Sequence, residues 1–149
     1  MPVNPELVGR DFPPTAPYLV GREKVREFAR AVFADDPQHT DPDAAQALGY
    51  ADVVAPPTFA MVIQDLTLQQ LLAEPDSGIE LHRLIHAEQR FAYSRPIVAG
   101  DELVATLAIT QVRPFGKGAM VTSEAAITDA DDAHVVTATS VLLVGGDDE

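Results

Sequence analysis

The sequence predicts an α+β fold in which an antiparallel sheet wraps around one long apolar helix. Three observations carry this. From about Thr58 to Ala73, Phe59, Met61, Val62, Ile63, Leu66, Leu68, Leu71 and Leu72 cover most of a helix circumference, the pattern of a buried helix. Four later segments, Leu84 to Tyr93, Glu102 to Val112, Ala119 to Asp129 and His134 to Val144, are rich in Val, Ile, Thr and aromatics and are bounded by turn residues. With 149 residues, 46% hydrophobic and 22% charged, residues 1–149 read as a single domain with enough apolar material for a sizeable core.

The elements follow in order. The proline-rich start, to residue 17, is expected to be extended, and Tyr18-Leu19-Val20 to form a short strand. A helix is expected from Arg22 to Phe33, because Val25, Phe28, Ala29 and Val32 recur at helical spacing; Asp36-Pro37 lies beyond its end. A short helix follows, with Asp41 as its N-cap, Pro42 as its first residue and Gly49 as its stop. Val53 to Phe59 is an apolar loop carrying Pro56-Pro57, and Glu74-Pro75-Asp76-Ser77-Gly78 breaks the long helix. Short connections make the four strands a meander of antiparallel neighbours, and Gly145 to Glu149 a frayed tail. An open sheet of this kind leaves an exposed edge, so the chain is expected not to be a monomer.

Composition removes several function classes. Ten Lys and Arg against 23 Asp and Glu give a net charge of −13, which disfavours nucleic acid or an anionic membrane as partner. No cysteine is present, so disulfides, thiolate–zinc sites and cysteine nucleophiles are excluded. Neither a signal peptide nor an 18-residue apolar run is evident, and a cytoplasmic protein is expected.

The densest polar chemistry is Asp35-Asp36-Pro37-Gln38-His39-Thr40-Asp41, where a histidine beside carboxylates can act as a general base; a capped surface loop has the same composition. His82, His86 and Glu88 have a spacing that two or three metal ligands can use, but ordinary polar strand positions explain them better, and no metal is expected. His134 stands beside an acidic turn and is expected to be solvated. Ser77, Ser94, Ser123 and Ser140 lack a Gly-x-Ser-x-Gly context, and Gly116-x-Gly118 reads as a hairpin turn rather than a phosphate loop.

Several strings in this order resemble one family. The long helix, the strands and Arg95-Pro96-Ile97-Val98-Ala99-Gly100-Asp101 resemble the hot-dog fold of MaoC-type dehydratases and (R)-specific hydratases, over about Val8 to Val144. Gly21 to Ala29, Leu48-Gly49-Tyr50, Ala55-Pro56-Pro57-Thr58-Phe59 and Arg90 to Pro96 resemble the actinobacterial N-terminal type, which includes substrate-binding subunits of (3R)-hydroxyacyl-ACP dehydratases. The resemblance implies a hot-dog subunit, an acyl-ACP or acyl-CoA thioester substrate, no cofactor, and a homodimer or a heterodimer with a catalytic hot-dog subunit.

It also implies site positions. The family motif Asp-x-Asn-Pro-x-His places its histidine on His39 and its aspartate on Ala34, with Asp35 one residue along and Asp36 in the asparagine position. The family's His-Gly pair at the helix start, whose glycine N–H receives the thioester oxygen, falls on Pro56-Pro57. Proline has no N–H, so only Thr58 is left to offer one there. The helix residues Phe59, Val62, Ile63 and Leu66 are the expected lining of an acyl groove. Two broken positions imply a weakly catalytic or non-catalytic, acyl-chain-binding subunit of a dehydratase in fatty acid synthesis. The rivals are an active homodimeric hydratase using His39 with Asp35 or Asp36, and a non-enzymatic acyl-thioester binding module.

Overall fold

The computed structural model describes residues 1–147. Its elements are β1 (Tyr18–Leu19), α1 (Arg22–Ala31), α2 (Pro42–Ala47), α3 (Ala60–Ala73), β2 (Leu84–Tyr93), β3 (Glu102–Phe115), β4 (Gly118–Thr128) and β5 (His134–Val144). Single 3-10 turns precede three of them, at Pro37–His39, Pro57–Phe59 and Leu81–Arg83.

The short helices form for the reasons the sequence supplies. The Asp41 side chain accepts the Asp43 N–H at 3.0 Å, Pro42 opens α2, and Gly49 ends it at φ 93°. α1 stops two residues before its expected end, because Phe33 adopts the left-handed conformation at φ 58° and the Ala34 N–H turns back to the Ala29 carbonyl at 2.9 Å.

The five strands form one antiparallel sheet in the order β1-β3-β4-β5-β2. This corrects the expected meander: β2 pairs with β5 and forms the far edge. The Ser94–Asp101 connection is no hairpin, since it docks on the loop before α3. Ala55 N–H donates to Ile97 O at 2.8 Å and Ala99 N–H to Val53 O at 3.0 Å, which carries the chain across the end of the sheet. β3 to β4 is a true hairpin, turning at Gly116. A side chain at Gly118 would place its Cβ 1.8 Å from the Val144 carbonyl oxygen, so only glycine fits there.

Alternate residues of β3, β4 and β5 point to the concave face, and many are small: Ala105, Ala125, Ala138, Ser123 and Ser140 are all buried. Small residues let α3 lie close to the sheet. One core cluster joins Phe59, Ala60 and Ile63 of the helix start to Val25, Leu103, Ile127 and Val136; a second gathers Leu7, Leu71, Ile109, Val121 and Leu142 at the other end.

Two expectations about this region need correction. The long helix is not buried all round. Its fully buried positions include the polar Gln64 and Thr67, whereas Met61, Val62, Leu66, Leu68 and Leu72 are only half-buried. Gln64 is accommodated because it donates to Ala138 O at 3.1 Å and accepts from Gln89 Nε2 at 2.7 Å, so its burial leaves no group unpaired. The tail is also more ordered than expected. Gly145 N–H donates to Arg83 O at 2.8 Å, and Arg83 holds Asp147 at 2.8 Å; the expected fraying of residues 148 and 149 lies outside the described residues.

Candidate functional site

A cleft of about 390 Å³ opens where the loop before α3 meets the end of β2. His39, Val54 and Pro57 line one side, and Tyr93, Ser94 and Arg95 the other. The proline-rich turns explain this placement. Pro37 starts the 3-10 turn that ends at His39, and Arg26 of α1 fixes that turn by donating to Thr40 O at 2.9 Å.

His39 is buried, with 9% of its surface exposed. Its Nδ1 lies 2.6 Å from the Val54 carbonyl oxygen. A carbonyl only accepts, so Nδ1 carries a proton, and it is Nε2 that is left to face other groups. Val54 is itself pinned: its N–H donates to Gln38 O at 2.9 Å, and it bridges Val98. The ring is therefore held in one orientation.

Among the described residues, no carboxylate that could complete an acid–base pair lines the cleft. Asp35 and Asp36 are both exposed, line no part of it and make no side-chain hydrogen bond or ion pair among the described residues. Ala34 is half-buried and has no proton-accepting group.

The helix start is also altered. Pro56 and Pro57 have no N–H, the Phe59 N–H is used by Pro56 O at 2.9 Å, and the Ala60 N–H is shared between Thr58 O and the Tyr93 hydroxyl. Thr58 is exposed, outside the cleft lining, and its N–H meets no described acceptor. Tyr93 fills the space beside this turn. Its hydroxyl donates to the Pro57 carbonyl, and burial pushes the phenol up to about 12, against the opposing pull of the Ala60 N–H. Tyr93 is thus a protonated donor at any physiological pH, and its donor is already engaged.

Arg95 clamps the rim. It holds Asp101 at 2.8 and 3.1 Å and Asp129 at 3.1 Å, tying the Ser94–Asp101 connection to the β4–β5 turn. The Ala133 N–H and then Arg95 keep the Asp129 carboxyl below the usual carboxylate range. At the mouth, Ser94 Oγ lies 2.5 Å from His134 Nδ1, and His134 Nε2 lies 2.8 Å from Thr137 Oγ1. His134 is exposed yet bonded on both nitrogens, which its sequence context did not indicate.

The expected groove residues separate. Phe59 and Ile63 are fully buried core, with Phe59 edge-on to Phe28 at a centroid distance of 5.3 Å, while Val62 and Leu66 are half-buried. The space beside α3 is a smaller cavity of about 70 Å³, bounded by Met61, Leu68 and Leu71 and by the polar Gln64 and Thr67. His82 sits 3.5 Å from Glu80, whereas His86 bonds Glu88 O and Gln89 Oε1, each at 3.0 Å; no cluster of three metal-binding side chains forms among the described residues.

Residues 6–138 match the family described as the FAS1-like, dehydratase domain region. The chain is 64% identical over 148 residues to a UPF0336 protein of Clavibacter michiganensis subsp. michiganensis and 57% identical over 148 residues to one of Leifsonia xyli subsp. xyli, covering 99% of each chain in both pairings. Among solved structures, it is similar to a chain of the C-terminally truncated HadBC (3R-hydroxyacyl-ACP dehydratase) complex of Mycobacterium tuberculosis, at 33% identity and a TM-score of 0.79, covering 89% of this chain and 92% of that one. It is also similar to a MaoC-like dehydratase at 36% identity and a TM-score of 0.82, covering 93% of this chain and 42% of that longer one. The (R)-hydratase of A. caviae, at 22% identity and a TM-score of 0.68, shares the fold, with 93% of this chain and 96% of that one covered.

Proposed function

We propose, from the premise that this chain belongs to the FAS1-like dehydratase domain region family of hot-dog proteins, that it is the acyl-chain-binding subunit of a (3R)-hydroxyacyl-thioester dehydratase. The reaction removes a proton from the α-carbon and the hydroxyl from the β-carbon, giving an enoyl thioester and water. The observation that carries the reading is the half-equipped cleft: His39 offers a fixed Nε2, yet among the described residues no carboxylate lines the same space, and Pro57 supplies no N–H at the helix start.

Proton removal, hydroxyl protonation and stabilisation of the growing negative charge on the thioester oxygen need three separate groups. Of these, this cleft offers the His39 imidazole. The likeness to a chain of a two-component (3R)-hydroxyacyl-ACP dehydratase supports a hot-dog partner that supplies the others. The half-buried apolar side of α3, with Met61, Val62, Leu66 and Leu68, supports a role in holding an acyl chain or meeting that partner.

Restoring one group tests the reading. Ala34→Asp alone is expected to change the chain's own dehydration rate by less than about threefold, because the helix-start donor is still missing. A gain of about 10²-fold or more would show that Thr58 or another amide already serves the thioester oxygen, and that a carboxylate was the only missing part.

A further inference from the structure

Phe33 stands where local physics most disfavours it. The turn after α1 requires a left-handed residue, and Phe33 supplies it at φ 58°, a conformation that crowds any Cβ and is normally given to glycine. The turn itself is sound, with the Ala34 N–H on Ala29 O at 2.9 Å and the Phe33 N–H on Arg30 O at 3.3 Å. Neither bond needs a phenyl ring. Among the described residues the other non-glycine one with positive φ, Asp132, is a short polar residue in a turn, a type that tolerates this region.

The ring gains little inside the chain. Phe33 is 84% exposed, more than any other large hydrophobic residue described, and Val32 beside it is 43% exposed. A bulky residue kept in a strained conformation, with its apolar surface in water, points to a contact outside the chain.

The charges nearby narrow the occupant. Asp35 and Asp36 follow directly, exposed and without ion pairs among the described residues, and Arg30 is the one cation within three positions. The whole chain carries −13, so two copies repel each other. We infer that Phe33 is an aromatic anchor that inserts into an apolar pocket rimmed by Arg or Lys on a different, less acidic hot-dog chain. The inference rests on the proposed heteromeric dehydratase and names a contact within it. Phe33 opens the segment that ends at His39, so docking there also fixes the loop carrying the cleft histidine.

The test compares wild type, Phe33→Gly and Phe33→Leu. Sedimentation gives the affinity for the hot-dog dehydratase subunit with which the chain pairs, and thermal unfolding gives the Tm of each chain alone. Glycine suits the turn, so Phe33→Gly is expected to keep or raise the Tm while weakening pairing by about 10–100-fold; leucine retains part of the contact and weakens it less. Unchanged pairing, within about threefold, in a well-folded Phe33→Gly chain overturns the inference and leaves the heteromeric reading standing. A chain that pairs only with its own copies overturns both the inferred occupant and that reading.

Discussion

Purified on its own, the chain is expected to dehydrate a 3-hydroxyacyl thioester at least about 10³-fold more slowly than the proposed heteromer. The magnitude comes from two absences. A missing donor for the thioester oxygen costs about 10²–10³ in rate, and a missing acid–base partner about 10²–10⁴. Groups that act as a unit do not contribute independently, so the product of the two overstates the loss and the lower bound is the safer figure. Both absences are visible in the cleft. Pro57 has no N–H, and Tyr93 already donates to its carbonyl; Asp35 and Asp36 are exposed and do not line the cleft in which His39 sits. Appearance of the enoyl thioester, followed with the chain alone and with its partner added, measures the ratio. A lone-chain rate within about tenfold of the heteromer would restore the active homodimeric hydratase as the better reading.

Phe59→Ala is expected to destabilise the chain by about 3–5 kcal/mol. Phe59 is fully buried, packs edge-on against Phe28 at 5.3 Å, and belongs to the cluster that joins the start of α3 to the sheet. Removing the ring leaves a cavity that the surrounding β-strands cannot close by collapse, because their residues at that end, Ala105, Ala125 and Ala138, are already small. Urea unfolding gives the value. A loss below about 1 kcal/mol means that Phe59 borders an open groove, as the sequence implied, and contributes little to the core.

Much of the architecture was legible because it is local. The Asp41-Pro42 start and Gly49 stop of α2 follow from side-chain capping and a left-handed glycine, which a few residues specify. The bounds of β2 and β5 follow from the turn residues that flank them, helped in β5 by its β-branched run. The strand order was not legible. Whether Ser94–Asp101 turns back as a hairpin or crosses the sheet end depends on its bonds to Val53 and Ala55, about 45 residues earlier in the chain.

The candidate site divides in the same way. The position of His39 could be read from its motif, and the proline block at Pro57 from the residue type alone. The polar interior of α3 could not, because Gln64 and Thr67 look like the helix's solvent face until Gln89 and the Ala138 carbonyl arrive from β2 and β5. Tyr93 was hidden for a similar reason. Its role depends on which strand end lies against the Pro57 turn, and the one available signal was its place in the Arg90–Pro96 string, on the same strand face as Phe91.

The central claim is that this chain holds substrate while its partner performs the chemistry, and His39→Ala in the reconstituted heteromer tests it most directly. Assembly is checked first by sedimentation, since the Val54 carbonyl loses the His39 Nδ1–H. With assembly intact, the account predicts a dehydration rate within about threefold of wild type, because the chemistry does not pass through this imidazole. A fall of about 10²–10⁴-fold would contradict it and make His39 the general base of the reaction.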